Sequence, residues 1–314
     1  MFLSIIFLVG GFLILILGAD KLVDGSSSIA KKLKVSSLII GLTVVALGTS
    51  MPEFVVNLIS SIKGSSDMVM GNVLGSNIFN VLCIGGLTAL VFPIVVKKST
   101  VYFEIPITII ASLAILFMSI MGDYLISRFE GIILLSCFIA FILYTIVLSK
   151  KGNNLEGEFE IREFTLLSSI IRIIIGIIGL TLGGKLLVDG AINIAHYMGV
   201  SERIIGLTIV SVGTSLPELA TSMVAARKKN VGIAIGNILG SNIFNIFMVL
   251  ASSAIVRPIS ISNDSNIDIL VSAASVILLL LLVVLGKKFV ISRVSGFILF
   301  TSYVAYIIII LFSK

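Results

Sequence analysis

Apolar stretches about as long as a bilayer is thick follow one another along the whole chain. Examples cover residues 105–121, 131–148 and 267–286. A helix needs about 20 mostly apolar residues to cross the hydrocarbon core, and slightly shorter stretches serve when helix ends snorkel. Of the 314 residues, 58% are hydrophobic and only 12% are charged, against roughly 25% charged in soluble domains. A chain this apolar could not cover its surface in water, so the lipid bilayer is its predicted environment.

The stretches predict an all-α integral membrane protein with ten transmembrane helices. Their predicted bounds are 2–24, 35–62, 68–92, 102–121, 130–149, 166–188, 201–226, 231–256, 267–285 and 294–312. Cys83 and Cys137 lie inside apolar stretches without metal-ligand spacing, and His196 is the only histidine. We therefore expect neither a cofactor nor a thiolate metal site.

Basic residues are unequally divided between the two sides of these predicted helices. Fifteen fall on one side: Lys31, Lys32, Lys34, Lys97, Lys98, Lys150, Lys151, Arg162, Arg172, Arg227, Lys228, Lys229, Lys287, Lys288 and Arg293. Five fall on the other: Lys63, Arg128, Arg203, Arg257 and Lys314. The richer side is predicted to be cytoplasmic, which places both termini outside. Topology thus explains the net charge of +6, and no nucleic-acid partner is expected.

The chain contains an internal duplication with an offset of 165 residues. The segment GLTVVALGTSMPE at 41–53 matches GLTIVSVGTSLPE at 206–218 in nine of thirteen positions. The segment GNVLGSNIFN at 71–80 matches GNILGSNIFN at 236–245 in nine of ten. Agreement of this kind indicates two copies of one unit.

Each copy holds five predicted helices, and because five is odd, the second copy must enter the membrane from the opposite side. The predicted organisation is a first five-helix repeat at 1–149, a cytoplasmic linker at 150–165 and an inverted five-helix repeat at 166–314. Inverted repeats are typical of secondary transporters, whose binding sites lie at the repeat interface on interrupted helices.

The first duplicated segment places a carboxylate next to a helix break. Pro52 and Pro217 lack an amide hydrogen, which frees carbonyl oxygens one turn earlier. Backbone irregularity at this depth is tolerated where it is buried or lines a cavity. Glu53 and Glu218 follow these prolines, and an acidic side chain inside a membrane is a functional candidate. On helical spacing Thr49, Glu53 and Asn57 share one face, as do Thr214, Glu218 and Ser222.

The second duplicated segment adds a polar stripe in each copy, formed by Asn72, Ser76 and Asn80 and by Asn237, Ser241 and Asn245. These side chains could ligate an ion or hydrogen-bond between helices. The two segments together offer carboxylate, amide, hydroxyl and carbonyl oxygens. An all-oxygen set suits hard cations, and calcium takes about 6–8 such ligands.

These motifs resemble the two alpha-repeats of the calcium/cation antiporter superfamily, in particular its prokaryotic sodium/calcium exchanger branch. The resemblance rests on residues 48–53 and 71–80 with their repeats at 213–218 and 236–245. It implies a ten-helix fold in which the second, third, seventh and eighth helices form the ion-binding core. The first and sixth helices would slide against that core as a gate.

The resemblance also implies roles for individual residues. Glu53 and Glu218 would be the central calcium ligands, together with the carbonyl groups of Thr49 and Thr214. Sodium would use the same glutamates and further oxygens, from Ser50, Ser76, Ser215, Ser241 and the carbonyl groups of Ala46 and Ser211. Asn80 and Asn245 would line the middle of the site. Many sodium/calcium exchangers carry aspartate where this chain has Asn245, so this site has one titratable group fewer.

The resulting hypothesis is a secondary active antiporter in a prokaryotic inner membrane that exchanges Ca²⁺ for Na⁺ by alternating access at one mid-membrane site. An H⁺/Ca²⁺ antiporter that uses the same glutamates is the alternative. A cation channel is the alternative from a different class, although channels more usually repeat one pore motif around an oligomer. An enzyme is not expected, because the chain lacks paired-Asp, Ser-His and His-rich metal motifs. The antiporter is expected to function as a monomer.

Overall fold

The computed structural model describes residues 2–121, 124–151, 162–199, 211–286 and 289–312. Long helices dominate these segments. In chain order the helices are α1 Phe2–Lys32, α2 Ser37–Thr49, α3 Met51–Lys63, α4 Ser66–Val91, α5 Lys98–Tyr102, α6 Glu104–Met121, α7 Arg128–Lys151, α8 Leu166–Tyr197, α9 Ser211–Gly213, α10 Leu216–Arg227, α11 Val231–Val256, α12 Asn263–Leu285 and α13 Arg293–Phe312. The strands are β1 Ile94–Val95, β2 Leu125–Ile126, β3 Ile259–Ser260 and β4 Val290–Ile291.

The described helices include eight that are long and apolar enough to cross a membrane, and the bent pair α2–α3 adds a ninth. The predicted second helix is therefore divided in two. Of the predicted seventh helix, 201–226, only the part from Ser211 onward lies within the described residues. The predicted fourth helix, 102–121, begins instead at Glu104, because the backbone breaks at Phe103 between α5 and α6.

Helices α1 and α8 extend eight or nine residues beyond the predicted ends at residues 24 and 188. The polar continuation of α1 is stabilised by charge, since the Lys228 ammonium lies 2.6 Å from carboxylate oxygens of both Asp20 and Asp24. Asp24 thus has the structural role that its position beside Gly25 suggested. The helix continues because its polar end is paired.

Glycines at seven-residue spacing bring α1 and α8 into backbone contact. A Cβ at Gly11 would lie 2.5 Å from the amide nitrogen of Leu187, and one at Gly18 would lie 2.7 Å from that of Leu180. From the other helix, a Cβ at Gly183 would lie 2.5 Å from the amide nitrogen of Leu15. Larger side chains would force the helices apart, so this seam allows the closest approach of two membrane helices.

The four short strands form two antiparallel pairs that differ from an all-α arrangement. Strand β1 pairs with β4 so that Ile94 faces Ile291, and β2 pairs with β3 so that Ile126 faces Ile259. Adding 165 to the first member of one pair, and subtracting it from the second, gives the other pair. Reciprocal pairing of this kind arises when two similar units are related by a two-fold axis.

Left-handed backbone positions recur at the same offset. The described residues with φ between 54° and 79° form three pairs separated by 165 residues, which are Lys34 with Gly199, Gly64 with Lys229 and Tyr124 with Phe289. They lie where helices end or strands begin. The duplication is therefore present in the backbone as well as in the sequence.

Contacts between charged residues agree with the two sides inferred from sequence. Arg257 packs against Gly64, and Arg128 donates to a carbonyl group 3.1 Å away at the end of α11. At the other end of the helices, Lys31 lies 2.6 Å from Glu163. Its hydrogen bond and positive charge hold the pKa of the Glu163 carboxyl below its ordinary value. Each contact joins residues that the sequence assigned to one side.

Candidate cation site

The helix break before each candidate glutamate lies at a serine. Helix α2 ends at Thr49 and α3 begins at Met51, with a 48° bend between them. Ser50 has φ −86° and ψ 9°, and Ser215, which precedes α10, has φ −90° and ψ 6°. Pro52 occupies the first turn of α3, where its missing amide hydrogen costs nothing. Both copies thus break at the same point, one turn before the carboxylate.

Hydroxyl groups connect the two candidate glutamates crosswise. The Ser50 hydroxyl donates to Oε1 of Glu218 at 2.7 Å, and the Ser215 hydroxyl donates to Oε1 of Glu53 at 3.1 Å. Both carboxylates are 1% exposed. Because each serine lies in the copy opposite to its acceptor, the two glutamates are held in one shared site.

Polar residues on α4 and α11 complete this arrangement. Ser241 donates to Oε1 of Glu218 at 3.4 Å, and Ser76 lies 3.1 Å from the Ser215 hydroxyl. Both are buried. Two of the predicted stripe residues therefore contact the glutamates directly or through one hydroxyl.

The asparagines that begin the stripes are used for interhelical hydrogen bonds. Oδ1 of Asn237 accepts from the Thr49 hydroxyl at 3.0 Å, and Oδ1 of Asn72 accepts from the Thr214 hydroxyl at 3.3 Å. Nδ2 of Asn72 donates to Oδ1 of Asn57, and Nδ2 of Asn237 donates to Ser222. With the hydroxyls of Thr49 and Thr214 engaged in this way, their backbone carbonyls are the groups left for an ion.

Wide helical turns carry the last members of the stripes. Asn80 lies in a π-helical turn, Phe79–Ile84, where the Gly85 amide donates to the Asn80 carbonyl, five residues earlier. Asn245 begins the equivalent turn, Asn245–Leu250. Such turns are frequent at functional sites. Both asparagines are fully buried.

Four buried oxygen atoms of this cluster have no hydrogen-bond donor among the described residues. They are Oε2 of Glu53, Oε2 of Glu218, Oδ1 of Asn80 and Oδ1 of Asn245. They form two pairs with the 165-residue offset. A buried acceptor without a partner is costly, and more so when it is charged. The cluster is therefore suited to a positively charged ligand.

Two further predicted ligands are placed but less free. The Ala46 carbonyl accepts from the Ser50 amide at 3.0 Å and from the Thr49 hydroxyl at 3.3 Å. Ser211 begins the short helix α9, and its side chain lies outside the described part of the structure.

Two residues of this cluster were not singled out from the sequence. Asn77 and Asn242 lie within the duplicated segment, at equivalent positions, and are 0% and 1% exposed. Their hydrogen bonds reach Asn245 and Asn80 across the interface. Duplication of a buried amide was the available signal, but it could not show which partner each amide meets.

The donor set is limited to oxygen chemistry. The described residues contain no group of three or more His, Cys, Asp or Glu residues that could hold a metal ion. Hydroxyl, amide and carboxylate oxygens from two opposed helix breaks are suited to hard cations such as Ca²⁺ and Na⁺.

Fold and site together define a multi-pass helical membrane protein built around a buried cluster of oxygen ligands on broken helices. Comparison with known families is more specific. The family model for the sodium/calcium exchanger protein matches residues 3–147 and again residues 168–312, two segments 165 residues apart. The chain belongs to the sodium/calcium exchanger family.

Individual relatives resemble the chain over nearly its whole length. It is 31% identical to the sodium/calcium exchanger MaX1 of Methanosarcina acetivorans, over 96% of this chain and 97% of MaX1. It is 35% identical to the inner membrane protein YrbG of Escherichia coli, over 87% of each chain. The structure of the sodium-calcium exchanger NCX_Mj soaked with 10 mM Na⁺ and 10 mM Sr²⁺ superposes with a TM-score of 0.83 at 32% identity, covering 98% of both chains.

Proposed function

We propose that the protein is a secondary active antiporter that exchanges Ca²⁺ for Na⁺ by alternating access. One mid-membrane site would serve both ions, with Glu53 and Glu218 as its central ligands. The remaining ligands would come from Asn80 and Asn245, from the serine hydroxyls and from the carbonyl groups of Thr49, Thr214, Ala46 and Ser211. The cycle requires no cofactor.

The observation that carries this proposal is the set of four buried, unpartnered oxygens on Glu53, Glu218, Asn80 and Asn245. Two ionised carboxylates neutralise one Ca²⁺, and the amide oxygens add neutral ligands. Na⁺ ions would share the same oxygens and draw on the hydroxyls of Ser50 and Ser215. Competition for the same glutamates makes the loads mutually exclusive.

The proposed topology is ten membrane helices in two inverted five-helix repeats, residues 1–149 and 166–314, joined by a cytoplasmic linker at 150–165. The described spans account for nine, and the tenth would combine residues 200–210 with α9 and α10. Both termini would face outward from an inner membrane. The protein would function as a monomer.

Helices α1 and α8 are proposed to form the gate. Within their most apolar windows 28% of residues are buried, against 83% in α4 and 94% in α11. The gate pair is therefore peripheral, whereas α4 and α11 lie in the centre of the protein. With both glutamates only 1% exposed, an ion could enter or leave only after the gate had moved against the core.

Coupling follows from the charge of the empty site. Moving two uncompensated carboxylates through a low-dielectric pathway is costly. The gate would therefore change position readily with Ca²⁺ or Na⁺ bound and poorly with neither.

Uptake of calcium-45 into proteoliposomes, driven by an outward Na⁺ gradient, tests the proposal. Glu53→Gln and Glu218→Gln are each expected to abolish exchange. Glu104→Gln is the matched control, because Glu104 is equally buried in α6 but accepts from the Tyr144 hydroxyl at 3.1 Å and takes no part in the cluster. Near-normal exchange in either cluster variant would reject the assignment.

An H⁺/Ca²⁺ antiporter is the second candidate, favoured by one observation. With asparagine at both 80 and 245 the site contains two carboxylates, which could carry two protons against one Ca²⁺. Uptake driven by a pH gradient in the absence of Na⁺ would establish this reading. Uptake that requires Na⁺ at fixed pH would exclude it, and calcium flux without any counter-ion would indicate a channel.

A further inference from the structure

Four asparagines link α4 to α11 through a closed set of hydrogen bonds. Nδ2 of Asn242 donates to the backbone carbonyl of Asn77 at 3.2 Å, and Nδ2 of Asn77 donates to that of Asn242 at 3.5 Å. Each side chain thus uses its nitrogen to hold the opposite helix. The oxygen of each amide is left for another donor.

Those amide oxygens receive the two asparagines of the cation site. Oδ1 of Asn242 accepts from Nδ2 of Asn80 at 3.1 Å, and Oδ1 of Asn77 accepts from Nδ2 of Asn245 at 3.1 Å. The contacts are crosswise, since each bond joins residues of different repeats. All four side chains are at most 1% exposed, so water cannot replace either partner.

This arrangement decides which end of each amide faces the cation. An amide has an oxygen acceptor at one end and a nitrogen donor at the other. If Asn80 turned over, its oxygen would meet the oxygen of Asn242, and its NH₂ group would point at the cation. Both contacts would be repulsive. The oxygen of Asn80, and likewise that of Asn245, is therefore directed into the cluster, where it lacks another partner.

We propose that Asn77 and Asn242 are positioning residues for cation binding. Asn242 orients the ligand amide of Asn80, and Asn77 orients that of Asn245, so that an oxygen faces the ion in each case. This inference rests on the proposed function, because it assumes that the cluster binds Ca²⁺. It assigns these two residues an indirect role, exerted through one specific partner each.

Double-mutant cycles on the full-length purified protein test the crosswise assignment. The readout is the dissociation constant for Ca²⁺ alone, measured by isothermal titration calorimetry in detergent. Loss of residues that orient metal ligands typically weakens binding about 10- to 100-fold, and this is expected for Asn77→Ala. In the Asn245→Ala background the same change is expected to weaken binding by no more than about twofold, because its partner is already gone.

The matched control is the pair on one helix. Asn77→Ala combined with Asn80→Ala should give effects that multiply, since Asn80 is held by Asn242. Coupling of equal size in both pairs, or multiplying effects in the crosswise pair, would overturn the positioning role. So would an Asn77→Ala protein that melts at a lower temperature but binds Ca²⁺ normally, because a purely structural residue behaves in this way.

The symmetry of the protein supplies a second test. If Asn77→Ala does not yield folded protein, the cycle of Asn242→Ala with Asn80→Ala asks the same question from the other repeat. A wild-type protein that neither binds nor exchanges Ca²⁺ would overturn the proposed function and this inference together. Intact wild-type exchange with failed cycles would overturn this inference alone.

Discussion

The hydroxyl oxygen of Ser50 lies 2.7 Å from Oε1 of Glu218, a carboxylate 168 positions further along the chain. The equivalent contact joins Ser215 to Glu53. Each helix break therefore supplies a hydroxyl to the acidic residue of the other repeat. Neither repeat can form this site alone.

Removing one of these hydroxyls is expected to weaken ion binding. A hydrogen bond to a charged group contributes about 1.5–3 kcal/mol, so Ser50→Ala should raise the KM for Ca²⁺ about 10- to 100-fold. Ser61→Ala is the control, because Ser61 is also buried on the same broken helix but donates to the backbone carbonyl of Ser253. Calcium-45 flux at varied Ca²⁺ concentration measures the difference, and equal KM values for the two variants would contradict the prediction.

Adding a third carboxylate to the site should make transport depend more steeply on pH. In Asn245→Asp the new group strengthens Ca²⁺ binding when ionised and loses that contribution when protonated. Apparent Ca²⁺ affinity should therefore rise with pH more steeply than in the wild type, whereas Asn245→Ala should lower affinity without steepening the profile. Parallel pH profiles for Asn245→Asp and the wild type would show that position 245 does not face the ion.

The close contact of α1 and α8 makes a prediction about neighbouring glycines. A Cβ at Gly11 would lie 2.5 Å from a backbone nitrogen of α8, whereas one at Gly10 would meet nothing within 4 Å. Gly11→Ala should lower the free energy of unfolding by about 1–3 kcal/mol through overpacking. Gly10→Ala should be neutral or stabilising, because alanine favours the helix. Thermal unfolding in detergent compares the two, and a seam that tolerates Gly11→Ala would be looser than described.

Sidedness can be tested by labelling single cysteines in intact cells. Lys63→Cys is expected to react with a membrane-impermeant maleimide from outside, and Glu163→Cys only after the cells are opened. Native Cys83 is buried, and native Cys137 lies in the lipid-facing helix α7, so the unmodified protein serves as the unlabelled control. Labelling of Glu163→Cys in intact cells would reverse the proposed orientation.

Much of the site was predictable because its chemistry is duplicated. The prolines at 52 and 217 indicated the helix breaks, and the break at Ser50 lies where they predicted it. The glutamates and the Asn/Ser stripes were recognisable as polar residues on apolar helices. Their burial follows from the same pattern, because polar side chains in a membrane helix turn away from lipid.

Other features depended on how distant segments pack. Periodicity could not show that α1 would continue past Asp24, since the ion pair with Lys228 joins residues 204 positions apart. The strand pairs were missed because two-residue strands carry no usable alternation, and their partners come from the opposite repeat. The seven-residue glycine spacing was present in the sequence, but which helix it would face was not.

The sequence by itself determined that the protein crosses a membrane many times, that it consists of two related units and that each unit brings one acidic residue to a helix break. These are local or periodic properties, set by hydrophobicity, by proline and by repetition. Only the tertiary structure decided that Ser50 meets Glu218, and that Asn77 holds Asn245. Such contacts depend on the relative placement of helices from opposite repeats, and that placement results from packing over the whole interface.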